Sequence, residues 1–425
     1  MPWQTITPMD EITRFVLLAQ TDRFTITDLC EQFGISRKTG YKHLERYALE
    51  GLKGLGLRSH RPHSFPQRTD ADVEALVLAE RRLHRTWGPK KLHVVLQLKH
   101  GIESPPAQST IGEILRRNGM SAAPRRKPGV YSALNDGLTV PTQPNHVWTV
   151  DFKGCFNLGD FQRCDPLTVC DRYSHYILAC RAQPNQQYAN TLRTFKKLMR
   201  QAGLPEVIRA DLGSPFASCG LGRLSSLSVW WIDQGIQVEF MHPASPHENG
   251  SHERMHRDLK AEAAIPASAN LAAQQRRFER WRHDYNHHRP HEALGMQMPA
   301  QIYQPSERRL NENDRLITYP RDYKTKVVST SAHIAHEGKN YQVGVAFIGK
   351  RVGLRYNDAG QTEIYYSNVL LGHLIHDPRR RSHGASVAYI EPFYPKSGEA
   401  DRLPCTPSAN TGKGGSQAPS LRPSP

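Results

Sequence analysis

The chain has 425 residues, 38% apolar and 23% charged, with 56 Lys and Arg against 40 Asp and Glu for a formal charge of +16. This length exceeds one typical core, so two to four folded domains are expected, and the basic surplus points to a polyanionic partner. No run of about 18 apolar residues is present, the opening "MPWQTITPMDEITRFVLLAQ" has no basic leader, and seven scattered cysteines form no C-x-x-C pair, which argues against a membrane span, a secretion signal and a zinc module and for reduced thiols in the cytoplasm.

From Asp10 to Gln20, residues Ile12, Phe15, Val16 and Leu18 fall at helical spacing, and "TITDLCEQF" supplies a second short helix through Ile26, Leu29 and Phe33. After a turn at Gly34, Ser36 is placed to cap a third helix that Gly51 ends. The outline over 1–58 is a helix-turn-helix. Its last helix opens with Arg37, Lys38, Thr39, Tyr41 and Lys42, cationic and hydroxyl side chains suited to phosphates and base edges in a major groove. A Pro-bearing basic linker, 59–69, precedes a second unit of the same kind over 70–122. There Val73, Leu76, Val77 and Leu83 form a stripe, "GPKKLHVVLQLKHG" reads as a short helix, and Ser109 is placed to cap "TIGEILRRNGM". The connector 123–140 is basic again, and its Arg125, Arg126 and Lys127 join the candidate DNA contacts.

Over 141–305 the texture changes. "HVWTVDFKGCF", "DPLTVCDRY" and "SHYILACRAQ" read as three consecutive strands, "QYANTLRTFKKLMRQAG" as an amphipathic helix closed by Gly203, and "PEVIRAD" as a buried strand. A helix around "SSLSVWWIDQ", a strand "GIQVEF" and two further helices to about His288 complete an α/β domain with a mixed sheet. The Trp230-Trp231 pair reads as core. Beyond a connector at 306–325, Tyr341, Val343, Val345 and Phe347 alternate onto one face, which predicts a small antiparallel β-barrel over 326–395. Residues 396–425, rich in Ser, Pro and Gly, read as a disordered tail.

Three carboxylates lie where separate elements can bring them together. Asp151 stands on a predicted strand with Trp148, Val150 and Phe152 at the opposite parity, Asp211 ends "PEVIRAD", and Glu253 sits just inside a helix beginning near Asn249-Gly250. Such a cluster is costly without cations and suits Mg²⁺, which takes oxygen ligands and leaves positions open for phosphate. Any one acid taken alone is more often a cap or a surface group.

Four stretches taken in order, "WTVDFKG", "ADLGSPF", "PHENGSHERMHRDLK" and "RPHEAL", resemble the DDE integrase-core transposases of bacterial insertion sequences, relatives of retroviral integrases with an RNase H-like catalytic core. The resemblance implies that Asp151, Asp211 and Glu253 are both catalytic and metal-binding, with two Mg²⁺ ions or Mn²⁺ as substitute, and that Glu248 is only a neighbour. It also implies element ends and target duplex as partners, no membrane, and a homo-oligomer on DNA. Hydrolysis would free a 3′-OH that then attacks a target strand. One departure is Leu212, where the family usually has Asn. It is the sole support for a rival reading, an inactive remnant acting as a DNA-binding regulator. Arg254, His256, Arg257 and Lys260 lie within two turns of Glu253, and with Asn249 are expected to meet DNA phosphates. The histidines of "HDYNHHRPHEAL" are read as phosphate contacts or packing groups rather than as a zinc site.

Overall fold

A computed structural model describes residues 7–56, 68–121, 137–241, 250–312, 317–382 and 385–393. Arg125, Arg126, Lys127, Glu248, Asn249 and the tail 396–425 lie outside the described residues. The chain falls into two compact units, one before and one after Asp70.

In the first unit, α1 (Pro8–Ala19), α2 (Ile26–Gln32) and α3 (Arg37–Glu50) are each capped by a hydroxyl: Thr7, Thr25 and Ser36 accept from the amides of Asp10, Asp28 and Thr39. Phe15, Val16, Leu29, Cys30 and Leu55 are buried together. Glycine at position 40 lets α3 lie close on α2, because a Cβ there would stand 2.6 Å from Cys30 Sγ. Arg37, Lys38, Tyr41 and Lys42 remain exposed, while Thr39 is half-buried with its hydroxyl 2.9 Å from that of Ser36.

The second unit opens with α4 (Ala71–Leu83), α5 (Pro89–Leu98) and α6 (Gln108–Arg117), packed around Val77, Trp87, Leu92, Leu96 and Ile111. The N-cap of α6 is Ala107, without a side-chain bond. Ser109 is therefore not its cap. The helix starts directly after Pro105-Pro106, earlier than the apolar pattern suggests. This bundle is fastened to the following domain: Thr86 Oγ1 donates to Glu262 at 2.5 Å, Lys90 pairs with Glu292 at 3.0 Å, and His84 Nδ1 lies 3.3 Å from Asp284.

Six strands make the central mixed sheet: β1 (Val147–Phe152), β2 (Phe156–Asn157), β3 (Arg163–Asp171), β4 (Ile177–Gln183), β5 (Val207–Ala210) and β6 (Gln237–Phe240). The order is β2-β3-β1-β5-β6, with β4 also on β3; β1 runs antiparallel to β3 and parallel to β5. α7 (Tyr188–Ala202) and α8 (Ser226–Asp233) cover one face, burying Phe195, Met199 and Trp231 against Trp148 and Val150. Trp231 is fully buried and Trp230 packs partly buried against the same core. α9 (Gly250–Leu259) and α10 (Leu271–His287) cover the other face, where Met255, Leu259, Phe278 and Trp281 meet Cys164, Cys170 and Cys180. A π-helical turn at Lys260–Ala264 joins them, and α11 (Pro299–Ile302) follows.

The C-terminal region is a sheet region but not a closed barrel. Its strands are β7 (Lys324–Val327), β8 (His333–His336), β9 (Lys339–Gln342), β10 (Arg351–Tyr356), β11 (Thr362–Tyr366), β12 (Val369–Ser382) and β13 (Ala385–Pro392). Five run β13-β12-β11-β10-β7, and β8 with β9 form a separate hairpin, so among the described residues no ladder joins β13 to β7. Gly344, at φ 119, interrupts the expected run of alternation. Tyr341, Val343 and Phe347 are buried as expected, but Val345 sits in a short 3₁₀ turn and is 78% exposed. Leu221, Val229 and Ile232 of the central domain share a core with Val352, Ile364 and Tyr366, and Asp233 at the end of α8 pairs with Lys350 at 2.8 Å and accepts from the Tyr366 hydroxyl.

Candidate catalytic carboxylate site

The parity of β1 decides what the site contains. Trp148 and Val150 point into the apolar core under α7 and α8, so Thr149 and Asp151 point to the α9 side. The parallel register pairs Val147 with Val207 and Thr149 with Arg209. Asp151 lies two residues beyond Thr149 on β1 and Asp211 two beyond Arg209, just past the end of β5, so the two acids stand toward the same end of neighbouring parallel strands. Asp211 leaves the end of β5 and folds back so that Oδ1 accepts from the Gly213 amide at 3.2 Å. Gly213 makes room for this, since a Cβ would stand 3.0 Å from Asp211 Oδ2.

Burial is the first cause that raises the Asp151 carboxyl, to about 7; the negative charges of Asp211 and Glu253 add to it, against the Phe152 amide and Lys153, which lower it. Asp211 is raised as well, chiefly by burial. The other buried acids have different surroundings. Asp171 accepts from the Asn145 and Ser174 amides and the Ser174 hydroxyl, Asp165 from Arg163 and Gln186, and Asp258 from Arg289. Asp151 differs from those acids in having the charges of two further acids, Asp211 and Glu253, among its neighbours beside the Phe152 amide. Glu253 is exposed near the start of α9.

Two histidines fix α9 over this face. His252 sets Nδ1 2.9 Å from Thr149 Oγ1 and Nε2 2.7 Å from Thr168 Oγ1, and His256 sets Nε2 2.7 Å from the same Thr168 hydroxyl. Thr168 is opposite Asp151 in the β1–β3 ladder and donates to the Asp151 carbonyl at 3.0 Å. Its hydroxyl proton is thereby used, so both rings present Nε2–H to its lone pairs. Burial holds both imidazoles well below their usual range, to about 3 for His252 and about 2 for His256, so they are neutral. His256 Nδ1 lies 3.7 Å from Asp151 Oδ2.

This geometry corrects one expectation. His256 is buried against β3, not at the surface, and direct phosphate contact is closed to it. Arg254, Arg257 and Lys260 are exposed. Lys260 lies where α9 widens into the π-helical turn, so it and His256 do not share a solvent face.

The sequence reading missed His252, Thr149 and Thr168. A signal existed, for "HERMH" places two histidines four apart beside Glu253, a spacing that also occurs in zinc hydrolases. Asp151, His252 and His256 do form a possible metal-holding group, with one ligand atom of each within 4.8 Å of the others. Against a zinc centre, both ring nitrogens of His252 are taken by threonine hydroxyls and the ring is 2% exposed, whereas a catalytic zinc keeps an open position. Oxygen ligands from Asp151 and Asp211 fit a hard cation better.

The "RPHEAL" stretch is also structural at its first residue. Arg289 is buried, pairs with Asp258 of α9 and lies 4.9 Å over the Tyr285 ring, tying the end of α10 to the helix that carries Glu253. Among the described residues no helix is long and apolar enough to cross a membrane.

Comparison with known proteins gives the same outline. Integrase core domain models match residues 141–246 and 234–299, a helix-turn-helix domain matches 13–63, a homeodomain-like domain matches 39–115, and the C-terminal domain of IS481 family transposases matches 323–376. The chain is 25% identical over 237 residues to the uncharacterized 31.7 kDa protein of insertion element IS407 from Burkholderia multivorans, covering 54% of this chain and 82% of that protein. It is 24% identical over 254 residues to the uncharacterized 39.2 kDa protein of insertion element IS476 from Xanthomonas euvesicatoria, covering 59% and 70%. Among solved structures, the HTLV-2 integrase catalytic core domain in complex with magnesium aligns with 38% of this chain and 98% of its own length, at 16% identity and a TM-score of 0.28.

Proposed function

We propose that the chain is an integrase-core transposase of an insertion element that binds the ends of its element, cleaves a phosphodiester to free a 3′-OH, and joins that hydroxyl to target DNA, a reading supported by its similarity to integrase core domains, to the C-terminal domain of IS481 family transposases and to insertion-element proteins. Asp151, Asp211 and Glu253 are the catalytic, metal-holding side chains in this reading. The observation that carries it is the Asp151 carboxyl, raised to about 7 by burial and by the charges of Asp211 and Glu253. A buried acid raised in part by the charges of neighbouring carboxylates belongs to a donor set suited to divalent cations. Two Mg²⁺ ions, or Mn²⁺ in their place, would neutralise the cluster and stabilise charge on the attacking and leaving oxygens of an in-line displacement.

The protein's own groups do the rest. In this reading the neighbouring strands β1 and β5 carry two of the acids, Asp151 on β1 and Asp211 just past β5, while the bonds of His252 and His256 to Thr168 hold α9 and with it Glu253. Arg254, Arg257, Lys260 and Asn249 approach the phosphates on either side of the scissile bond. Arg37, Lys38, Thr39, Tyr41 and Lys42 of α3, with Arg125, Arg126 and Lys127 of the connector, bind the element end. Two ends must be joined, so the working species is an oligomer on DNA.

The test is a cleavage and joining assay with Mg²⁺ or Mn²⁺ on duplex bearing the element's own ends. The expected result is nicking and joined product from the wild type and neither from Asp151→Asn, which still binds. Binding without nicking or joining by the wild type would leave a DNA-binding regulator.

A further inference from the structure

At the free edge of the central sheet, β4 and the helices flanking it, α7 and α10, enclose a cleft of about 380 Å³. Leu178 and Leu198 contribute apolar wall, and the lining carries four cations, Arg181, Arg193, Lys197 and Arg282, against the single acid Glu279. Glu279 is already engaged by Arg181 at 3.2 Å and by the Gln275 amide at 3.1 Å. Among the described residues, Arg193 and Arg282 reach only neutral oxygens, of Asn190 and Ile177, each at 3.4 Å, and Lys197 has no carboxylate partner. None of these groups belongs to the carboxylate site. Cys180 on β4 is level with Thr168, which is level with Asp151, so the cleft lies to the side of Asp151 by at least two strand spacings, about 10 Å.

The hydrogen bonds of β4 narrow the choice of occupant. The Ala182 amide donates to Gln275, whose own amide donates to the Cys180 carbonyl, and Asn286 satisfies both backbone groups of Ile177. α10 thus supplies the partners that an added strand from another chain would need to find. A second copy docked by a two-fold axis would set this cationic lining against itself. A polyanion meets neither obstacle.

We propose that the cleft is a second DNA contact, in which Arg193, Lys197 and Arg282 seat the phosphodiester backbone of duplex away from the carboxylate site. This rests on the reading of the chain as a DNA transposase. The test uses the full-length protein in metal-free buffer and a labelled duplex with no element sequence, its affinity followed by anisotropy as salt is raised. Removing one cation that neutralises a phosphate flattens the slope of log K against log salt by about 0.9. The Arg193→Gln/Lys197→Gln/Arg282→Gln variant is expected to flatten it by roughly 2 to 3 and to weaken low-salt binding at least about tenfold. Should the triple variant fail to fold, Arg193→Gln/Lys197→Gln on α7 alone is expected to flatten it by about 2. Arg200→Gln, on the same helix but paired with Glu312, is the control and leaves the slope close to that of the wild type. An unchanged slope in the folded cleft variants overturns the proposal, as does a fall in the protein's own oligomeric mass without DNA, which would mean a second copy uses the cleft. Cleavage and joining by the wild type are scored separately: intact catalysis with an unchanged slope removes only the cleft, and a flattened slope without catalysis removes only the transposase chemistry.

Discussion

The two faces of β1 are made by alternate residues of one short strand, yet they do opposite work. Toward α7 and α8, Trp148 and Val150 are fully buried among Phe195, Met199 and Trp231 in an apolar core. Toward α9, Thr149 and Asp151 meet hydroxyls, neutral imidazoles and further acids. The first face supplies the stability that lets the second hold an unfavourable arrangement in place. That division yields opposed expectations for substitutions a few residues apart.

The largest expected effect is on chemistry. Asp151→Asn or Asp211→Asn should lower cleavage and joining by at least about 10²- to 10³-fold, the scale seen when one preorganised electrostatic group is lost, while DNA binding survives. The same Asp151→Asn should raise the melting temperature in metal-free buffer above about pH 7. The sign follows from the raised carboxyl. The folded state keeps its proton to about 7 where the unfolded chain releases it near the ordinary 3.8. The wild type therefore loses stability as pH rises across that window, and Asn does not.

Next comes the apolar face. Trp148→Ala should cost about 3–5 kcal/mol of stability, read by denaturant unfolding, with any loss of activity following the loss of folded protein. If Trp148→Ala and Asp151→Asn gave the same stability change, the contrast between the faces would be wrong. Thr168→Val probes the support beneath the carboxylates. Both histidines lose their acceptor, and activity should fall about 10- to 100-fold, as for other groups that orient ligands, with no acid removed. The smallest effect is expected from Gly213→Ala. Its Cβ would press on the Asp211 carboxylate by a few tenths of an ångström, and a few-fold loss of turnover with unchanged DNA affinity is expected.

The contrast also separates what was readable in the sequence from what was not. Alternation in "VWTVDF" placed Asp151 opposite Trp148 and Val150, and Ser36 and Gly51 bounded α3, because side-chain parity and capping are local properties. The bonds from His252 and His256 to Thr149 and Thr168 depend on how α9 lies across two strands far away in the chain, which no local pattern encodes. Local pattern also misled. Val345 fits the alternation around it, yet Gly344 turns the backbone and exposes it. Barrel closure failed as a prediction for a related reason, since it depends on whether distant edge strands pair and not on how apolar each one is. The fastening of α4–α6 to Glu262, Asp284 and Glu292 was equally invisible, because each partner is an ordinary polar residue until the fold brings it close.

The central claim is that Asp151, Asp211 and Glu253 jointly hold divalent cations, and Mn²⁺ binding to the DNA-bound protein followed by electron paramagnetic resonance tests it most directly. The account predicts bound Mn²⁺ in the wild type and a loss of bound signal in Asp151→Asn, Asp211→Asn and Glu253→Gln alike. Undiminished Mn²⁺ binding in all three variants would contradict it.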